Sequence, residues 1–153
     1  GCHLARPACM MRSIIFAAAA LMAVFLCSKS YALNCGSRTA VLAALANLGE
    51  TVAEHGVDQS GVWVGVTVAP KSLRWSFVMT AKGRPDVLCI VGTGSEWFQA
   101  PAASNGILYD GSLISVSWNE SGDWQLLYME SGMGDPPKVA TKGSGWVRVG
   151  QQI

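Results

Sequence analysis

"WSFVMTAKGRPDVLCIVGTGSEW" occupies residues 75–97, and 49 positions further on "WQLLYMESGMGDPPKVATKGSGW" occupies residues 124–146. Each stretch opens and closes on Trp at the same distance. Aligned without a gap, Trp75 meets Trp124, Gly83 meets Gly132, Asp86 meets Asp135, Gly94 meets Gly143, Ser95 meets Ser144 and Trp97 meets Trp146. Six matches in 23 positions, four of them turn-type residues, read as a folding unit used twice, in repeat-like units of about 61–98 and 112–149.

Outward from this pair, the pattern is that of short strands. "GVWVGVTVA" (61–69) puts Val62, Val64, Val66 and Val68 on one face and Trp63, Gly65 and Thr67 on the other, the period of a strand built from strand-favouring residues. Pro70 to Ser72 turn the chain, "LRWSFVMT" returns, "AKGRPD" turns it again, and "VLCIV" is a short buried strand ending at Gly92. "GTGSEW" reads as a hairpin turn and "QAPAASNGILYDG" as a linker. "SLISVSW", "WQLLYM" and "KVATKGSGWVRV" then repeat the theme. Upstream, "GSRTAVLAALANLGE" predicts a helix with Ser37 as its N-cap, an apolar stripe of Val41, Leu45, Leu48 and Val52, and Gly49 as its stop. "TVAEHGV" follows as a first strand. The fold expected is α+β: an N-terminal helix packed on an antiparallel β-meander sheet, with a second Trp-bounded meander repeat, since so apolar a sheet needs one face covered.

The chain opens "GCHLARPACMMRSIIFAAAALMAVFLCSKSYALNC". Residues 1–10 read as translated upstream sequence. From Met11, a basic residue (Arg12), an apolar run from Ile14 to Cys27 and the small-residue pattern Ser30-Tyr31-Ala32 predict a signal peptide over 11–32. The run is shorter than the roughly 17 to 25 apolar residues of a spanning helix, so no stable membrane span is expected after processing. A single exported domain, 33–153, remains, periplasmic or secreted. It holds two cysteines, Cys35 and Cys89, which in an oxidising compartment read as one disulfide. Eight Lys and Arg against ten acids leave this domain at about −2, with no basic patch for nucleic acid.

The stretch "CGSRTAVLAALANLGET", then "WSFVMT" and "LCIVGTGSEW", resembles a group of small uncharacterised exported (periplasmic) proteins of alphaproteobacteria. The pattern is Cys-x-x-Arg, an Ala/Leu-rich helix ending in Gly-Glu, a Trp-initiated strand, a Gly turn, a Cys and a Gly-x-x-Trp ending, over about residues 35–97. The resemblance implies export and a Cys35–Cys89 bridge, and carries no activity. Two departures stand out: "AKGRPDVLC" replaces the usual turn before the second Cys, and Lys138 occupies the repeat's counterpart of Cys89.

Groups able to do chemistry are sparse. His55 is the one histidine of the exported domain, with Glu50, Glu54 and Asp58 nearby. A two-His zinc helix needs a second His, and on a strand Glu54 and His55 point to opposite faces, so neither a metal nor a catalytic residue is expected. The serines of "GTGSEW" and "KGSGW" lack the Gly-x-Ser-x-Gly spacing of a nucleophile elbow, and "VGTGSEW" lacks the Lys-Ser/Thr of a phosphate loop. No cofactor is expected. The excess is aromatic: all six tryptophans lie in the exported domain. Trp75, Trp97, Trp124 and Trp146 read as the core of the repeat, whereas Trp63 and Trp118 are the ligand candidates. The first functional expectation is a non-catalytic module that binds an envelope protein or inhibits a hydrolase. The second is a carbohydrate-binding module for peptidoglycan or another envelope glycan, and the third a small hydrolase around Glu54, His55 and Asp58.

Overall fold

The computed structural model describes residues 34–131, 134 and 136–150, so the expected leader lies outside the described residues. A short strand β1 (Asn34–Ser37) leads into the helix α1 (Arg38–Asn47). Eight strands follow: β2 (Thr51–Asp58), β3 (Trp63–Val68), β4 (Trp75–Ala81), β5 (Arg84–Ala100), β6 (Ala103–Leu108), β7 (Leu113–Trp118), β8 (Trp124–Met129) and β9 (Lys138–Arg148).

Each strand from β2 to β9 pairs antiparallel with the next, and β9 returns to pair with β2 through Glu54↔Arg148, His55↔Val147, Val57↔Ser144 and Asp58↔Gly143. The result is a mostly-β, eight-stranded closed antiparallel barrel with one short helix, which corrects the expected α+β helix-on-sheet fold. The physical reason lies in what covers what. A ten-residue helix offers Val41, Leu42 and Leu45 for burial, too little for the apolar face of two meanders. The second meander supplies that cover instead. Its inward residues Ile114, Val116, Trp124, Leu126 and Trp146 pack against Val64, Val66, Val68, Trp75, Phe77 and Trp97 of the first. Closure also satisfies backbone groups that an open sheet would leave at two edges. Eight strands enclose an interior just wide enough to be filled by side chains, as it is here.

The helix packs on the outside, opposite to the valine face. Val41 and Leu45 lie against Val78, Leu88, Trp63 and Ile90 of the outer wall. Its start follows the expected capping chemistry, Ser37 Oγ accepting from the Ala40 N–H at 3.2 Å. Its stripe ends sooner than the spacing suggests: Leu48 is exposed and Val52 belongs to β2. β1 pairs with the edge of β5 (Cys35↔Cys89, Gly36↔Leu88), and the Cys35–Cys89 disulfide joins that pair directly. Two further expectations are corrected. "GTGSEW" lies inside the 17-residue β5, which continues past β4 to pair with β6. "QAPAASNGILYDG" contains β6, whose alternation of Ser104 and Gly106 inward carries too few apolar side chains to register as a strand.

The two halves of the barrel carry one ladder twice. Val64↔Met79, Gly65↔Val78 and Val66↔Phe77 between β3 and β4 recur as Ile114↔Tyr128, Ser115↔Leu127 and Val116↔Leu126 between β7 and β8. The register break after Phe77 in β4–β5 recurs after Leu126 in β8–β9. Glu54↔Val66 and Gly56↔Val64 recur as Ser104↔Val116 and Gly106↔Ile114. Barrel closure obeys the same rule, since Glu54↔Arg148 at one seam matches Gln99↔Ser104 at the other.

Candidate functional site

The repeat places two equivalent tryptophan pairs inside the barrel. Trp75 and Trp97 have ring centroids 5.1 Å apart at 51°, and Trp124 and Trp146 have theirs 5.1 Å apart at 49°. Trp75 Nε1 donates to the Ser95 carbonyl at 2.9 Å and Trp124 Nε1 to the Ser144 carbonyl at 3.1 Å. A glycine from the other half makes room for each pair. A Cβ on Gly106 would stand 2.5 Å from Trp75 Nε1, and one on Gly56 would stand 2.7 Å from Trp146 Cε3.

Between the pairs sits Glu54, fully buried. Trp97 Nε1 donates to its Oε2 at 2.9 Å, and Trp146 Nε1 to its Oε1 at 3.1 Å. Gln99 Nε2 donates to Oε2 at 2.8 Å, and Ser104 Oγ lies 2.7 Å from that same oxygen. Arg148 Nε stands 3.5 Å from Oε1, while its Nη2 donates to the Ala103 carbonyl and to Ser104 Oγ. Donors from both halves therefore converge on a single acceptor group, and an ionised carboxylate, which only accepts, suits all of them. The two halves meet on Glu54 through equivalent residues: Trp97 and Trp146, Gln99 and Arg148. The tryptophans are identical, whereas Gln99 answers to Arg148 and Glu54 to Ser104. This role was not read from the sequence. The available signal was parity, since Glu54 and Gly56 share one face of β2.

The other candidates are dispersed by the fold. His55 points to the outer wall, where its ring stacks on Trp63 at 5.6 Å. Burial, and secondarily the Arg38 guanidinium, hold its pKa below the ordinary histidine value. Asp58 caps the β2–β3 hairpin, Oδ1 accepting from the N–H groups of Ser60 and Val62. Glu54, His55 and Asp58 thus face the interior, the outer wall and a turn. Among the described residues, no three His, Cys, Asp or Glu side chains come together as a metal-ion group. Glu50, also buried, accepts from Thr67 Oγ1 at 2.8 Å and pairs with Arg74 Nε at 3.0 Å.

The two ligand candidates are not brought together. Trp63 lies on the outer wall, with the His55 ring stacked on it and the Arg38 guanidinium 4.3 Å from its ring centroid. Trp118 packs at the barrel mouth on Trp146, with the Arg148 guanidinium 4.6 Å from its ring. Beside Trp118 a shallow cleft of about 320 Å³ is lined by Asn119, Asp123, Gln125 and Lys142. A larger cleft, about 580 Å³, opens where β2 and β4 begin, with Val52, Val68, Leu73, Phe98 and Val149 in its walls. Phe98 is 61% exposed there. Among the described residues, Leu73 and Glu96 are the non-glycine positions with left-handed backbone, at φ 60° and 59°; Leu73 lines this cleft, Glu96 precedes Trp97 in its wall, and the Trp97 N–H bonds the Leu73 carbonyl. Such conformations cost of order 1–3 kcal/mol each and tend to cluster at functional surfaces.

Among the described residues, no helix is long and apolar enough to cross a membrane. The disulfide is compatible with an exported protein. No family model matches the chain, and neither does any curated protein or solved structure.

Proposed function

We propose that this chain is a non-catalytic module of the periplasm or the secreted fraction that binds an envelope protein through its outer surface, in the manner of a hydrolase inhibitor. The observation that carries the reading is the filled interior. Two tryptophan pairs and the caged Glu54 occupy the space in which a barrel of this size would otherwise hold a small ligand. Recognition is left to the outside, where Leu73, Phe98 and Val149 stand exposed around the 580 Å³ cleft and Leu113, Met129 and Val139 stand exposed on the opposite half. Exposed apolar and aromatic side chains set beside polar ones are the usual anchors of protein interfaces.

The test is affinity capture with tagged residues 33–153, disulfide intact, from envelope extract of the source cells, read by quantitative mass spectrometry. One enriched protein, displaced by untagged domain, is the expected result; no enriched protein removes the reading. A second reading, a module for envelope glycans, draws on the Trp118 cleft, where an aromatic edge adjoins Asn119, Asp123, Gln125 and Lys142. Retention on purified peptidoglycan that falls for Gln125→Ala and Lys142→Ala would favour it over protein binding.

A further inference from the structure

The outer walls of the two halves are built alike but covered differently. In the first half, Trp63, Val78, Leu88 and Ile90 lie beneath Val41, Leu42 and Leu45 of α1. The ladder places Leu113, Leu127 and Val139 of the second half in the positions of Trp63, Val78 and Ile90, and Pro137 in that of Leu88. No described helix lies over them. Leu113 is 41% and Val139 54% exposed, and a groove of about 390 Å³ runs between Leu113, Ser115, Leu127, Met129 and Pro137. This is the surface on which the first half seats a helix.

We propose that the β7–β8–β9 wall is the docking groove for an amphipathic helix of a partner protein, seated as α1 is seated on the first half. The inference rests on the binding-module reading and names the partner's chemistry: a short helix with an apolar stripe spaced like Val41, Leu42 and Leu45. The neighbouring strand edge argues against a second copy of this chain donating its own β1–α1 segment. β1 pairs with Val87 to Ile90 on β5, and the matching residues before and within β9 are Pro136, Pro137, Lys138 and Val139. Two prolines lack the N–H that strand addition needs, and a charged Lys on an edge opposes it. Lys138 also replaces the cysteine that ties β1 in place. A helix can still enter the groove; a strand–helix segment cannot anchor beside it.

The test is selection from a displayed library of short stapled helices against the intact, disulfide-bonded domain, with binding sites mapped by NMR shift perturbation. Expected are helical binders that perturb Leu113, Leu127 and Val139, lose about tenfold or more in affinity with Leu127→Lys and with Met129→Lys, and keep their affinity with Phe98→Ser. Near-UV circular dichroism identifies which of the two lysine variants retains the fold, and that variant decides. A library without helical binders, binders indifferent to the folded lysine variant, or dimerisation of the free domain through this wall would overturn the proposal. Capture of an envelope protein that is unaffected by Met129→Lys would overturn it while leaving the binding-module reading in place; capture of none removes that reading itself.

Discussion

At the scale of single residues, the molecule turns on a carboxylate placed where a barrel of aliphatic and indole groups would be expected to exclude it. Glu54 is tolerated because each oxygen is met by an indole N–H and further polar donors. Glu54→Gln keeps the volume but turns an amide NH₂ toward one of those donors and removes the carboxylate charge that faces the buried Arg148. The expected loss is about 3 kcal/mol in urea denaturation, in the range for breaking a buried pair from one side. A loss below about 1 kcal/mol would show that the cage relaxes around the amide. His55 yields a pH dependence. Its folded pKa is lowered by burial and by Arg38, so the unfolded chain binds the proton more readily. Its favourable contribution is present above the unfolded value near 6.5 and is lost as the pH falls below it, down through the folded pKa. The melting temperature should therefore drop from pH 7 to pH 5 by more in the wild type than in His55→Gln, and parallel profiles for the two would contradict this assignment.

At the scale of elements, α1 is held at one end by chemistry and along one side by packing. The Cys35–Cys89 bond ties the strand that precedes it to β5, and Val41 and Leu45 bury against Val78 and Leu88. Closing a loop with a separation of 54 stabilises by roughly 4 kcal/mol on the chain-entropy estimate. Cys35→Ser combined with Cys89→Ser should lose much of that in denaturant, with the loss felt first at the helix. Exchange of the α1 amides should rise while those of β3 and β4 stay protected; uniform acceleration would mean that helix and barrel are one cooperative unit. The helix and its cap were legible in the sequence because Ser37, the apolar spacing and Gly49 act within a few residues of one another. β6 was not legible, since its inward face is Ser104 and Gly106, a polar residue and an absence of side chain. Both make sense only against Glu54 and the Trp75–Trp97 pair, which the chain brings from far away.

At the scale of the whole molecule, the two halves complete each other. Gly106 of the second half makes room for Trp75 and Gly56 of the first makes room for Trp124, so each half carries space for the other's aromatic pair. Gly106→Ala and Gly56→Ala should then destabilise by similar amounts, about 1–3 kcal/mol each as overpacking of a filled core. Tryptophan fluorescence and far-UV circular dichroism should report the same midpoint for both variants, because neither half has a closed core alone. Separate transitions would mean that one half survives without the other.

The sequence by itself determined the repeat, the valine face of β3, the tryptophan pairs as core, the helix with its cap and the pairing of two cysteines. Each of these is carried by side-chain period, turn chemistry or composition over short distances. Only the tertiary structure decided that the sheet closes, that its second half covers its first, and that Glu54 is the point at which the halves meet. Closure rests on backbone hydrogen bonds between β2 and β9 and between the far end of β5 and β6. Backbone groups are the same in every residue but proline, so the side-chain pattern does not announce which edges will join. The geometry that joins them emerges when two apolar faces have each other to bury against.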